Sequence, residues 1–377
     1  MTTHRVYLDN NAATLPDPRV VEAYQYALKT CWANPGSSHR EGQHAKGLLE
    51  EARARIARRF DVSPRQIIFF SSATEGLNTF LRGFIDRSSR GRIVTTNVEH
   101  AAVWQCCRRL ETEGCDVTFL SVGPQGAPSP EAVEKALSGP VSALALMSVN
   151  NETGVVTDIE ACAAIARERK IPFLVDAVAQ LGKLPFVLLP GISAACFSAY
   201  KIHAPCGTGF AVVQPNVPFL PLIEGGGQEF GKRSGTENVP SIYACSVALD
   251  LIVSEMEESS KKMRELRDIF ERKVFASISG VQINGEGPRV CNTSNLAFDG
   301  IQGEELLIQL DLFGVAASHG AACSSGALTP SRVLLEMGYS QKRAASSVRF
   351  SLGKFTTEDE IDEAVRMICK AVEKQRA

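Results

Sequence analysis

Between residues 67 and 213 the sequence alternates short apolar runs with amphipathic stretches, and this alternation limits the fold more than any other feature. It is the pattern of parallel strands joined by crossover helices. The spacing predicts strands at IIFF (67–70), RIVTT (92–96), DVTFLSV (116–122), ALALMSV (143–149), PFLVDAV (172–178), AACFSA (194–199) and GTGFAVV (207–213), seven strands in one α/β layer. Ahead of them Ala45, Leu48, Leu49, Ala52, Ile56 and Phe60 recur at helical spacing, so a helix is expected from about Gly42 to Phe60. After Pro240 the texture changes to a long helical stretch, YACSVALDLIVSEMEESSKKMRELRDIFERKVFASI, then shorter strand-like pieces and a final helix from about Thr357. A domain boundary is expected near that long helix.

Composition narrows the function classes. The 377 residues carry 40 Lys+Arg against 42 Asp+Glu, a formal charge of −2, without the basic excess of a nucleic-acid surface. With 44% hydrophobic and 22% charged residues the chain is expected to bury a sizeable core. The 11 cysteines are odd in number and include no C-x-x-C, which disfavours a disulfide framework or a zinc ribbon and favours reduced thiols in the cytoplasm. No apolar run approaches the ~18–20 residues that span a bilayer, and MTTHRVYLDN lacks the apolar core of a signal peptide, so no membrane partner is expected.

In open parallel sheets ligands bind beyond the carboxyl ends of the strands, so residues just after each strand are the candidates for chemistry. After IIFF comes SSATEGLN, where Ser71 to Thr74 precede a helix; this is either a helix cap or a cradle for a phosphate or carboxylate. Asp176 sits inside the apolar run PFLVDAV, where a carboxylate is costly without a cation; a structural Arg or Lys and a protonated pyridine nitrogen both qualify. Lys201 follows another strand and precedes a Gly/Pro turn. A lysine there is commonly solvated, yet with an upstream strand Asp and an anion site it also fits the lysine that carries pyridoxal phosphate. A nicotinamide dehydrogenase is disfavoured, because no G-x-G-x-x-G follows the first strands.

The motifs YLDNNAAT (7–14), NPGSSHREG (34–42), SSATEGLN (71–78), VEHAAV (98–103), VNNETG (149–154), VDAVAQLGKLP (175–185), SAYK (198–201), GGGQEFGKRSGTEN (225–238), AACSSGALTPSRVL (321–334) and VRFSLGKFTTEDEID (348–362) together resemble the cysteine desulfurases, in the class V aminotransferase branch of the fold-type-I pyridoxal phosphate enzymes. The match is collinear from residue 7 to the C-terminal helix. The resemblance implies a large cofactor-binding domain (15–250) with a mainly parallel seven-stranded sheet. A smaller α+β C-terminal domain (1–14 and 251–377) would carry the loop with the catalytic cysteine. It implies pyridoxal 5'-phosphate as cofactor, L-cysteine as substrate, a homodimer, and a sulfur-acceptor protein such as an iron-sulfur scaffold.

Residue by residue, the resemblance makes Lys201 the cofactor-binding lysine and proton shuttle, Asp176 the acid beside the pyridine nitrogen, and His100 the histidine stacked on the ring. Ala73, Thr74 and Ser198 match the phosphate site, and Tyr200 stands where the family usually has a histidine. Thr236 matches the threonine that reaches the phosphate of the partner subunit. Asn151 matches the residue near the phenolic oxygen and substrate carboxylate. Arg349 fits that carboxylate as a planar bidentate donor, since Val348, Phe350 and Leu352 alternate onto the other strand face. Cys323 matches the nucleophile that takes up the sulfur as a persulfide, with His319 a candidate base four residues earlier. Cys106, Cys107, Cys162, Cys196, Cys245 and Cys369 read as small packing residues.

Three positions depart from the family pattern: Ala179, with Gln180 one place late, where a Gln is usual; Tyr200 for His; and Phe230 where Arg is common. Competing expectations are another class V enzyme, a selenocysteine lyase or aminotransferase, and a non-catalytic partner-binding scaffold.

Overall fold

The computed structural model describes residues 5–85, 91–320 and 330–376. Its centre is a seven-stranded sheet of β2 (Ile67–Phe70), β3 (Arg92–Thr96), β4 (Val117–Leu120), β5 (Val141–Met147), β6 (Phe173–Asp176), β7 (Ala194–Ser198) and β8 (Gly209–Val213), counting Val6–Tyr7 as β1. The spatial order is β2-β8-β7-β6-β5-β3-β4. β8 runs antiparallel to both neighbours, and every other neighbouring pair in this sheet is parallel. The cause is the short link between β7 and β8: a parallel return needs a crossover of a dozen residues or more, whereas a turn suffices for an antiparallel one.

Residues along the strands alternate between two apolar clusters. Phe69, Val94, Leu144, Leu146, Phe173, Val175, Phe197 and Phe210 join the cluster on one face. Phe70, Ile93, Ala143, Ala145, Leu174, Cys196 and Ala211 join that on the other. Both faces are therefore covered, which is why the strands read as nearly continuous apolar runs. The helix expected from Gly42 is α2 (Arg40–Arg59), after α1 (Pro18–Thr30); it buries Ala45, Leu48, Leu49, Ala52 and Ile56. Several strands are shorter than their apolar runs. In β6 the ladder stops at Asp176, because the next residues turn and the Asp176 carboxylate accepts from the Val178 amide (3.1 Å).

The long helical stretch is two helices, Val239–Ser254 and Met256–Ser277, bent by 69° at Glu255. The first is apolar on nearly all sides and packs into the cluster under the sheet; the second is amphipathic and buries Met263, Leu266, Phe270 and Val274 in a separate cluster. Arg19 (2.7 Å) and Lys354 (3.0 Å) hold the Glu255 carboxylate at the bend. The separate cluster also gathers Val6, Leu8 and residues from the antiparallel sheet of β9 (Val281–Ile283), β10 (Thr293–Phe298) and β12 (Ser347–Ser351). β1 pairs in parallel with β11 (Val315–Ala316), drawing the first described residues against this sheet. Among the described residues no single helix is long and apolar enough to cross a membrane.

Candidate active site

The carboxyl ends of β5, β6 and β7, together with β12 and the segment after β1, surround a cleft of about 750 Å³. Of the residues singled out by sequence, Ala73, Thr74, His100, Asn151, Asp176, Ser198, Tyr200, Lys201 and Arg349 all line it. They come from positions 73 to 349, and only the tertiary fold brings them together.

One end of the cleft is the start of α3 (Ala73–Gly83). Ser72 is extended (φ −167°) and caps the helix, its hydroxyl accepting from the Glu75 amide (3.4 Å), while the Ala73 amide donates to Ser198 Oγ (3.0 Å). Behind it lies Gly209: a Cβ there would sit 2.6 Å from the Ser72 carbonyl carbon and 2.7 Å from the Ala73 nitrogen, so β8 can press on this turn only through a glycine. Ser72 does the capping while Ala73 and Thr74 face the cleft, so the cap and the candidate cradle share one turn.

Asp176, at the carboxyl end of β6, is 6% exposed. Burial pushes its carboxyl above the ordinary value, opposed by the electrostatic influence of His100, the hydrogen bond from the Val178 amide and the charge of Lys201. His100 is the N-cap of α4 (Ala101–Thr112); its Nδ1 accepts from the Ala102 amide (3.1 Å), which places the ring proton on Nε2. Lys201 follows β7 in a single 3₁₀ turn, and its ammonium donates to the carbonyl oxygens of Asn11 and, at 2.8 Å, Ala12. Its nitrogen lies 4.7 Å from the centre of the Tyr200 ring.

Arg349 is 1% exposed on the β12 face opposite Val348, Phe350 and Leu352, as the alternation required. Its Nη2 donates to Asp9 (2.7 Å) and its Nη1 to the Asn151 carbonyl (3.0 Å). Asn11 reinforces that carbonyl (3.2 Å) and is itself tied to Thr293 (2.9 Å) and Asn292 (3.1 Å). Asp9 and Asn11 belong to YLDNNAAT, yet nothing local assigns them a task; the signal lies in the fold that seats them beside Arg349.

A second cavity of about 850 Å³ adjoins the first at His100 and Asn151 and is lined by Glu99, Trp104, Glu152, His319 and Arg332. Glu99 is 1% exposed; burial pushes its carboxyl up to about 8, the hydrogen bond from Thr96 (2.7 Å) opposing this and the Asp176 charge adding to it. His319 Nδ1 meets the Ser347 carbonyl (2.6 Å), an acceptor, so this nitrogen carries the proton and the ring is spent partly on holding β12.

Cys323 lies outside the described residues. Cys106, Cys107, Cys162, Cys196 and Cys245 are buried and Cys369 is half-buried, in line with packing roles. Burial pushes the Cys162 and Cys245 thiols up to about 12, which keeps them protonated and poor nucleophiles. Cys206, in the turn after Lys201, is exposed. Thr236 lies on an exposed loop and is not among the residues lining this chain's cleft.

Two of the three departures have a structural outcome. Ala179 lines the cleft, whereas Gln180 donates its amide to the Pro185 carbonyl (2.6 Å), so the displaced glutamine does not replace the missing side chain. Phe230 covers the Arg53 guanidinium, 5.1 Å from its ring centre. The set still suits pyridoxal phosphate. It offers a helix start with Ser198, a buried acid, a lysine, and Asn151 Oδ1, which is buried with no hydrogen-bond partner among the described residues.

Residues 6–364 match the model of the class-V aminotransferases, and the chain belongs to that family of pyridoxal phosphate enzymes. Within it, the chain is 40% identical over 375 residues to a cysteine desulfurase of Trichormus azollae, covering 99% of this chain and 94% of the relative. The fold superposes on a NifS-like protein with a TM-score of 0.90 at 33% identity, covering 98% and 100% of the two chains. It also superposes on SspA in complex with cysteine, with a TM-score of 0.81 at 29% identity and 94% and 100% coverage.

Proposed function

We propose that the protein is a pyridoxal 5'-phosphate-dependent cysteine desulfurase that converts L-cysteine to L-alanine and passes the sulfur, as a persulfide on Cys323, to an acceptor thiol such as that of an iron-sulfur scaffold. The observation that carries this reading is the meeting of Lys201, Asp176, His100, Asn151 and Arg349 in one cleft. Nearly full-length similarity to a cysteine desulfurase supports it.

When bound, the cofactor withdraws electrons from the amino-acid carbons and so weakens the bond from carbon to sulfur. Ala73, Thr74 and Ser198, with Tyr200 beside them, would hold its phosphate, and Asp176 would hold the proton on its ring nitrogen. The buried carboxyl gains most from such a cation, because its burial disfavours a lone negative charge. Lys201 would hold the cofactor and move the proton at the substrate α-carbon, with His100 across the ring. The Arg349 fork would bind the substrate carboxylate, with Asn151 beside it. In the net reaction the carbon–sulfur bond of cysteine breaks, a carbon–hydrogen bond forms at the same carbon, and the sulfur bonds to Cys323, so L-cysteine and a thiol give L-alanine and a persulfide.

The exposed Thr236, apart from its own chain's cleft, fits a homodimer in which each copy completes the other's phosphate site. The separate apolar clusters support a larger domain expected over 15–250, whose cluster runs on to Ile252, and a smaller one expected over 1–14 and 251–377. Ten described cysteines, all unpaired, are in keeping with a cytoplasmic enzyme. The deciding experiment measures alanine released from L-cysteine by wild-type protein and by Cys323→Ser. Loss of turnover in the variant with its visible cofactor band intact is expected; equal rates refute the assignment.

A further inference from the structure

The helix start at Ala73 carries an acid in its first turn. Glu75 favours the helix dipole, but it is also an anion beside the amides that would cradle a phosphate. Its carboxylate is turned away from the cleft by three groups. Arg233 grips it through Nε (2.7 Å) and Nη2 (3.2 Å), and Ser71 donates both its amide (2.7 Å) and its hydroxyl (2.6 Å). The pair is largely shielded, with Arg233 19% and Glu75 10% exposed. Although burial pushes it up, the hydrogen bonds from Arg233 and Ser71 bring the Glu75 carboxyl below its ordinary value, so it stays charged.

We infer that the Arg233–Glu75 pair is a positioning device for the cofactor phosphate: the guanidinium pins and neutralises a carboxylate that would otherwise repel the phosphate at the start of α3. This rests on the cofactor reading above and adds to it a role for two side chains that line neither cavity. Arg233 stands 158 positions from Glu75, on the loop that carries Thr236, so the same contact ties that loop to the phosphate end of the site. The consequence is selective, because a repelling carboxylate penalises a ligand with a phosphate and leaves the same ligand without one nearly untouched.

The test compares binding of pyridoxal 5'-phosphate and of pyridoxal to the full chain stripped of cofactor, followed by the visible band, in wild type, Arg233→Ala, Arg233→Lys and Arg233→Ala/Glu75→Gln. For Arg233→Ala, affinity for the phosphorylated compound is expected to fall roughly tenfold while that for pyridoxal changes less than about threefold. Adding Glu75→Gln restores the phosphate preference, and Arg233→Lys keeps most of it. Equal losses for both compounds, or no rescue by Glu75→Gln, overturn the role of the pair and leave the cofactor reading standing. A wild-type chain that takes up neither compound overturns both.

Discussion

Removal of the Glu229 side chain is the sharpest test of how the loop over residues 225–238 is held. Glu229 accepts from Arg53 Nη1 (2.8 Å) and Nη2 (2.7 Å) and from the Phe69 amide (2.9 Å), with its side chain fully buried and that of Arg53 2% exposed. Glu229→Ala takes from the guanidinium its buried carboxylate and strands one strand amide. Breaking a buried ion pair costs about 3–5 kcal/mol and orphaning a buried amide roughly 1–3 kcal/mol, so the expected loss starts at about 4 kcal/mol. Arg53 keeps the Ile67 carbonyl (2.9 Å), the half-exposed Glu50 carboxylate (3.4 Å) and the rings of Phe69 (4.7 Å) and Phe230 (5.1 Å), which places the value near that lower end. Glu229 and Phe230 also adopt left-handed backbone (φ 48° and 61°), a strain the pair sustains. The assay is equilibrium urea unfolding of wild type, Glu229→Ala, Arg53→Met and the double variant Arg53→Met/Glu229→Ala. The double variant should lose about 2 kcal/mol or more less than the two singles summed, because no charge is left buried alone. A Glu229→Ala loss below about 1 kcal/mol, or strict additivity, refutes the reasoning.

Further outcomes follow from the cleft. Gly209→Ala should force the start of α3 away from β8, costing roughly 1–3 kcal/mol of stability and weakening retention of pyridoxal phosphate, as checked by unfolding and by loss of the visible band on dialysis. Glu99 binds a proton in the folded chain up to about pH 8 but releases it near the ordinary glutamate value of 4.5 when unfolded. Its contribution therefore falls as pH rises between those values, and Glu99→Gln should gain on wild type by up to ~1.4 kcal/mol per pH unit across that window. Unfolding at pH 5 and pH 7 tests this, and a difference independent of pH contradicts it. Arg349→Lys keeps the charge but loses the fork, so KM for L-cysteine should rise roughly tenfold or more with a smaller change in kcat, as measured by alanine release.

Much of the site was legible in the chain. Asp176 stood out as a carboxylate in an apolar strand and Lys201 by its place after another, signals that are local and follow strand periodicity, while their roles and that of Arg349 came from the family resemblance. Glu99 was not legible: its unusual proton affinity comes from burial beside Asp176, and a Glu before a His at a helix start is otherwise ordinary. Gln180 could not be aimed from sequence either, since one hydrogen bond to Pro185 decides which way its amide faces.

The sequence by itself determined the alternation of strand and helix, the two-faced burial of the sheet and the order of the motifs, for these are written in side-chain periods of a few residues. Only the tertiary structure decided that β8 runs against its neighbours and that the long apolar-to-charged stretch breaks at Glu255. It alone pairs Arg53 with Glu229, Glu75 with Arg233 and Asp9 with Arg349, residues 176, 158 and 340 positions apart. Such contacts leave no periodic trace in the chain, because their geometry is set by how the sheet and its connections pack and not by any neighbour in sequence.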